Sequence, residues 1–411
     1  MKDDTHANKA QQNEVIPAGY KNTKLGVIPE DWKVKKAKEL FTSISDKKDS
    51  KTEIFLSVTQ DKGVLPRNLV DRRALIPKEE TSKYKLVNPN NFIISLRSFQ
   101  GGLEHSRYRG LVSPAYTVLE EKIKINHLFF KYYFKSYNFI SNLTVAVIGI
   151  RDGKQISYSS FSDIKIPLPP LPEQKKIADI LTTWDKAADQ IENLIANTKL
   201  QKKYLMQELL TGATRFNEFT TTNNRYKETK LGRIPEDWEV KRLGDVCEIK
   251  KGKSITKKST VHGVYPVIGG GKTISYFHND YTDSDVITIS ASGCYAGYVS
   301  FHNYKIWASD CSVITSLKNS ENLYLFFYMR LSQKEIYKMQ SGGAQPHVYP
   351  QDLKNIQIPL PPLPEQKKIA AALSTIDQEI EQLTKQQEIY KQEKKYLMQQ
   401  LLTGATRVRV D

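Results

Sequence analysis

The chain has 411 residues, of which 39% are hydrophobic and 26% charged, and a formal net charge of +16. That length exceeds what one hydrophobic core supports and implies two to four domains. No apolar run is long enough to span a bilayer, the N-terminal MKDDTHANKAQQNE lacks a signal-peptide core, and three cysteines without C-x-x-C spacing support neither a disulfide framework nor a zinc site, so a reducing, cytoplasmic setting is expected.

Residues 1–19 are polar and read as a flexible tail. Tyr20 to Val34, YKNTKLGVIPEDWKV, returns 206 positions later as YKETKLGRIPEDWEV. Gly26 and Pro29 mark a turn, and Trp32 and Trp238 are expected to be buried anchors. With this lead-in, the first globular domain spans 20–165. FLSV, NFIISL and AYTVL read as strands, HLFFKYYFKSYNF as one amphipathic helix, and Gly101-Gly102 opens a loop. VIGIRDGKQISYSSF reads as an exposed loop before a short strand.

Residues 166–215 are the stretch around which the chain is organised. They open with IPLPPLPEQKKIA, close with KKYLMQELLTGATR, and return 192 positions later within 358–411. The prolines hold the chain extended, Pro172 is tolerated in a first helical turn, and Gly212 and Gly404 are expected to stop the helices. Between them apolar residues recur at alternating spacings of four and three. The seam is Ile177, Leu181, Trp184, Ile191, Ile195, Leu205 and Leu209 in the first copy, and Ile369, Leu373, Ile376, Ile380, Leu383, Leu397 and Leu401 in the second. This heptad pattern predicts two helices of roughly 55 Å that pack on each other, with polar Lys202, Lys394 and Gln387 setting the register.

Residues 216–240 form a polar connector and the second IPEDW lead-in, and the second globular domain spans 241–357. CEIKKGKSI, PVIGGGKTISY, VITIS, AGYVSF and SVITSL read as strands and turns, and NLYLFFYMRLSQKEIYKM as a helix. The fold class expected is α+β, with two globular α/β domains, two long helices and an internal repeat.

Charge is segregated. Residues 35–165 carry 23 basic and 13 acidic side chains and 241–357 carry 14 and 9, whereas 173–210 and 365–402 each carry six of both. A basic excess confined to the two unlike blocks favours a polyanionic partner. Catalytic signatures are missing. Gly269-Gly270-Gly271-Lys272-Thr273 superficially suggests a phosphate loop, but Pro266 stands where the pattern needs glycine and a strand follows. No nucleophile elbow, zinc-protease, kinase or dinucleotide-binding pattern is present, and no metal site is expected.

The order insert, IPLPPLPEQKKIA, long helix, LLTGA, twice over and with IPEDW before each insert, resembles the specificity subunit of type I restriction–modification systems. The resemblance covers nearly the whole chain from about residue 20. LRSFQGG with SPAYTVL, and GKSI with IWASDCSVI, look like target-recognition domains of that family. The resemblance implies that each domain reads one half of an interrupted site in double-stranded DNA. It implies that the long helices pair antiparallel as a coiled-coil spacer, giving a pseudo-two-fold repeat. Two methyltransferase subunits carrying S-adenosylmethionine would dock on this frame, and two restriction subunits, using ATP and Mg, would join them. The chain itself would be non-catalytic and hold no cofactor. A stand-alone DNA-binding or architectural protein, or a coiled-coil scaffold, is the alternative class. Neither needs two unlike basic inserts.

Basic side chains would seat on phosphates, and Arg, Gln or Asn would read base edges. The candidates are Arg97, Gln100, Arg107, Arg109, Arg151, Lys154 and Gln155 in the first domain. In the second they are Lys253, Lys272, Gln345 and His347.

Overall fold

A computed structural model describes residues 16–47, 54–60, 62–70, 83–147, 156–220, 225–256, 263–274 and 276–410. The chain divides into two compact units. One comprises Met1–Gln190 with Gln387–Asp411, and the other is Ile191–Gln386. Two long helices, Leu171–Thr211 and Leu363–Leu402, each contribute to both units. Among the described residues, no helix is long and apolar enough to cross a membrane.

The first unit begins with a hairpin, Tyr20–Thr23 against Gly26–Pro29, followed by Lys33–Lys36, which pairs antiparallel with Lys165–Leu168. A short helix, Ala37–Leu40, turns the chain into a four-stranded antiparallel sheet. Its order is Phe41–Ile44, Thr117–Glu121, Phe92–Ile94, Glu104–His105. An aromatic cluster fills one face: Phe41, Phe92, Phe130, Phe134 and Phe161 meet edge-on or tilted at centroid distances of 5.0 to 6.2 Å where they touch. The same core takes in Trp32 from the lead-in, Ile177 and Leu181 from the start of the first long helix, and Leu401 and Leu402 from the end of the second.

The aromatic segment expected to be one helix is two, His127–Tyr133 and Tyr137–Val147. Asn126 caps the first through its side chain. The Ser136 hydroxyl then accepts from Phe139 N at 3.3 Å, so a new helix starts where a hydroxyl competes with the backbone. The corresponding segment of the second unit is also broken, into Asn322–Leu331 and Gln333–Lys338 around Ser332.

The second unit repeats the plan. A hairpin of Tyr226–Thr229 and Gly232–Pro235 has the same register as the first, and Glu239–Arg242 pairs with Gln357–Leu360. The central sheet runs Cys247–Lys251, Cys311–Ser316, Val286–Ser290, Val299–His302, the same topology as in the first unit. A smaller sheet of Tyr265–Ile268, Tyr276–His278 and Trp307–Ala308 is added. Trp238, Tyr324, Phe327 and Ile314 share the core with Leu209, Leu210, Ile369 and Leu373.

The repeated motifs meet as one device in each unit. Trp32 is fully buried and donates from Nε1 to Glu173 Oε2 at 2.8 Å, and Arg407 bonds both Glu173 and Asp31. In the second unit Trp238 and Arg215 make the same contacts with Glu365 and Asp237. Next to these glutamates, Gln174 and Gln366 each donate to a proline carbonyl of their own motif. Each accepts from the N–H at the start of a domain helix, Asn126 and Glu321 respectively. Gly212 and Gly404 have φ near +75°, and a Cβ on either would lie 2.4 Å from the Cδ of Pro235 or Pro29. Their small size is thus needed for both conformation and close approach. IPEDW, PLPPLPEQ and LLTGATR form a three-part joint between domain and helix.

Along the long helices, every seam position named above is buried or half-buried. The seam lysines are paired. Lys394 bonds Asp185 within the first unit, where Trp184 also packs edge-on against Tyr390 at 5.2 Å, and Lys202 bonds Asp377 within the second. Burial pushes the Asp185 carboxyl up, but Lys394, Tyr132 and Lys131 outweigh it and hold the group below the usual carboxylate range.

Candidate nucleic-acid interface

In each unit the central sheet presents loops at one end. In the first, Ile94 leads into the turn and short helix Ser98–Gly101, which carries Arg97 and Gln100, both exposed. Neither side chain has a partner among the described residues, whereas the backbone beneath is tightly held. Gln60 Nε2, from the tip of the hairpin Leu56–Thr59/Gly63–Pro66, donates to Arg97 O at 2.9 Å, and Lys135 Nζ donates to Gly101 O at 2.9 Å. Lys135 also bonds the buried Glu104. Gly102 has φ of +73°, and a Cβ there would lie 1.8 Å from Phe134 O, so glycine is required where the loop crosses the helix. Free cationic and amide side chains stand on a fixed backbone, which suits reading an external surface.

The second unit brings three loops together. Ser290 Oγ donates to Gly270 O at 2.9 Å, Gly293 N to Pro346 O at 3.0 Å, and Val348 N to Ala291 O at 3.0 Å. Lys272 is exposed, with Nζ 4.7 Å from the ring centroid of Tyr295 and 5.1 Å from that of Tyr298, and the Arg330 guanidinium lies 5.3 Å from the Tyr298 ring. Such contacts orient a cation without neutralising it. Lys253 lies 5.1 Å over Trp307, whose Nε1 donates back to Lys253 O at 2.9 Å. Ser341 and His347 exchange two backbone hydrogen bonds, His347 stacks on Tyr349 at 6.0 Å, and exposed Gln345 lies on the loop between them.

Lys253, Lys272, Gln345 and His347 therefore share one end of the second sheet, and Arg97 and Gln100 occupy the corresponding end of the first. Arg107 and Arg109 do not join them. They follow His105, whose register partner is Phe92, at the other end of that three-residue strand, and Arg109 Nη1 donates to Asn88 Oδ1 at 2.6 Å. Arg107 adds to the burial and to the charges of His127 and Lys131 that push the His105 pKa down to about 4. Arg151, Lys154 and Gln155 lie outside the described residues. Sequence reasoning missed Tyr295, Tyr298 and Arg330. The Y-x-x-Y spacing of CYAGYV was visible, but its meeting with Lys272 depends on loop closure over more than twenty positions.

The arrangement offers cations and hydrogen-bonding side chains on loops. Burial raises the Cys247 and Cys311 thiols to about 12, far from a reactive thiolate. Among the described residues there is no cluster of His, Cys, Asp or Glu able to hold a metal ion.

The family model described as the type I restriction modification DNA specificity domain matches residues 29–201 and again 235–391. The MjaVIII specificity subunit of a type I restriction enzyme from Methanocaldococcus jannaschii is 29% identical, over 93% of this chain and 94% of its own length. The MjaIX specificity subunit of the same organism is 22% identical over 95% and 96%. A crystal structure of the S subunit from M. genitalium superposes with a TM-score of 0.59 at 16% identity, over 90% of this chain and 96% of that one. This chain belongs to the type I restriction–modification DNA specificity family, whose domain it carries twice. It is the specificity subunit of such a system, the component that recognises DNA.

Proposed function

We propose that each globular domain reads one half of an interrupted site in double-stranded DNA, and that the two long helices pair antiparallel as a coiled coil that spaces the halves. The carrying observation is that the units share sheet topology and the Trp–Glu–Arg joint while the loops bearing Arg97 and Gln100 differ from those bearing Lys272 and Gln345. A constant frame with two unlike reading ends suits two unlike half-sites. The spacer reading is supported by the seam's burial and by the order of contacts in the first unit. Glu173 meets Arg407, while later Asp185 meets the earlier Lys394. With half-site centres about one helical turn apart, both domains would face one side of the duplex.

Two methyltransferase subunits carrying S-adenosylmethionine dock on the frame. Two restriction subunits supply ATP- and Mg-dependent translocation and cleavage. This chain, working in the cytoplasm, contributes recognition and no catalytic step.

The test is genome-wide adenine methylation in cells with and without the chain. Loss of one interrupted, two-part methylated motif is the expected result. An unchanged methylation pattern, with the partner methyltransferase expressed, overturns the proposal.

A further inference from the structure

The lead-in hairpin and the strand pair behind it enclose a groove of about 390 Å³ in the first unit. Lys21, Lys24, Lys35, Lys36 and Lys165 line it against a single acid, Glu39. Lys21 is committed to Glu30 O, Lys35 to Glu39 and Lys36 to Asp163. Lys24 and Lys165 have no side-chain partner among the described residues. Lys165 also borders an adjoining depression lined by Leu25, Val145 and Ile164 together with the polar Asn142, Ser160 and Asp163, the last already paired with Lys36, and Val145 is 68% exposed.

Most of the pattern is duplicated. The matching positions of the second unit are Lys227, Lys230, Lys241 and Arg242, on a hairpin of the same register and a strand that pairs Arg242 with Gln357 as Lys36 pairs with Lys165. Leu231 and Ile356 match Leu25 and Ile164. None of these residues takes part in the Trp–Glu–Arg joint. In the first unit the groove precedes Phe41, at the opposite end of the sheet from the turn after Ile94 that carries Arg97. A cationic groove whose residue pattern recurs in the second unit, bordered by the apolar side chains of Leu25, Val145 and Ile164 and remote from the reading loops, fits an acidic protein segment better than a duplex, because a phosphate backbone offers nothing to those apolar side chains.

We propose that this groove, in both units, is the docking surface for an acidic segment of the modification subunit, anchored by one apolar side chain beside Leu25 or Leu231. The proposal rests on the reading that modification subunits dock on the frame.

The test co-expresses the full chain with the modification subunit of its own system and counts bound copies by native mass spectrometry. Lys24→Glu with Lys165→Glu is expected to weaken one site roughly tenfold or more and lower the count from two to one. Adding Lys230→Glu with Arg242→Glu should remove the second copy. Lys24→Arg with Lys165→Arg should keep both, and unchanged melting temperatures show that the variants fold. A wild-type chain that captures no modification subunit overturns the docking reading and this proposal together. A wild-type chain that captures two, beside a quadruple variant that captures two as tightly, overturns the groove alone. So does a quadruple variant that keeps its partners but loses affinity for DNA.

Discussion

Arg407 grips Glu173 with two hydrogen bonds, Nε to Oε1 at 2.8 Å and Nη2 to Oε2 at 3.0 Å, although 234 positions separate them. Glu173 is 2% exposed and its counterpart Glu365 fully buried, so each carboxylate depends on its arginine and its tryptophan N–H. Removing the cation leaves a buried charge with one donor, which costs about 3–5 kcal/mol. The Arg215 side chain is 5% exposed against 38% for Arg407, so Arg215→Ala is expected to cost more than Arg407→Ala. Lysine cannot reproduce the fork, and Arg→Lys should recover little. Denaturant unfolding with hydrogen exchange measures both effects. Arg407→Ala should loosen amides of the first unit and Arg215→Ala those of the second.

Trp32→Phe keeps most of the apolar volume, deletes the N–H that reaches Glu173 and leaves a small cavity where the indole was larger. The expected loss is about 1–3 kcal/mol, the cost of leaving a buried acceptor one donor short. Equal stability of this variant and wild type would show that the indole N–H is not needed there.

The reading loops should separate affinity from specificity. Lys272→Ala removes a positioned cation, and it should weaken DNA binding about equally across sequences and reduce the salt slope by roughly one. Arg97→Ala and Gln100→Ala should relax only one half of the methylated motif. Sequencing of methylated adenines, alongside salt titrations, checks both. A Lys272→Ala variant whose salt slope matched wild type would place this lysine off the phosphate backbone.

His302 sits in the second domain with Nε2 2.9 Å from Thr288 Oγ1, and burial pushes its pKa down to about 4. A histidine kept neutral in the folded state favours folding fully above its unfolded pKa. That advantage is lost as pH falls from about 6.5 toward 4, because the unfolded chain takes up the proton first. His302 should therefore lower the stability of the second unit by about 2–3 kcal/mol over that window and His302→Gln should remove that share, while His105, depressed in the same way, leaves a fall of the same sign in the first unit. Urea midpoints at pH 7, 5.5 and 4 measure it.

Deleting matched heptads, residues 189–195 and 381–387, keeps the seam in register and shortens each helix by about 10 Å. If the paired helices set the spacing, the preferred gap in the methylated motif should shrink by about three base pairs, at roughly 3.4 Å per step. An unchanged gap would rule out the ruler.

The frame was largely legible before the fold. The long helices and their glycine stops follow from periodicity and turn chemistry, and the structure runs them from Leu171 to Thr211 and from Leu363 to Leu402. Trp32 and Trp238 were readable as anchors because their flanks repeat. Their partners were not, since Arg407 and Glu173 meet only through tertiary folding. The helix break at Ser136 was missed because an aromatic stripe continues through it while a hydroxyl quietly restarts the backbone bonding. The site was legible as a composition rather than a geometry. Basic loops could be located, but a two-residue advance past His105 carries Arg107 away from Arg97, and only strand pairing shows that.

The segment Gln387–Asp411 belongs to the unit that also holds the beginning of the chain, whereas Ile191–Gln386 is continuous. During synthesis the second unit can therefore close as soon as its own residues have left the ribosome. The first unit, although translated earlier, waits with Glu173 and Trp32 unsealed until Arg407 emerges. The joint of the second unit, Glu365 with Arg215, therefore has both partners in hand before the joint of the first, Glu173 with Arg407, the reverse of the order in which the two domains are translated.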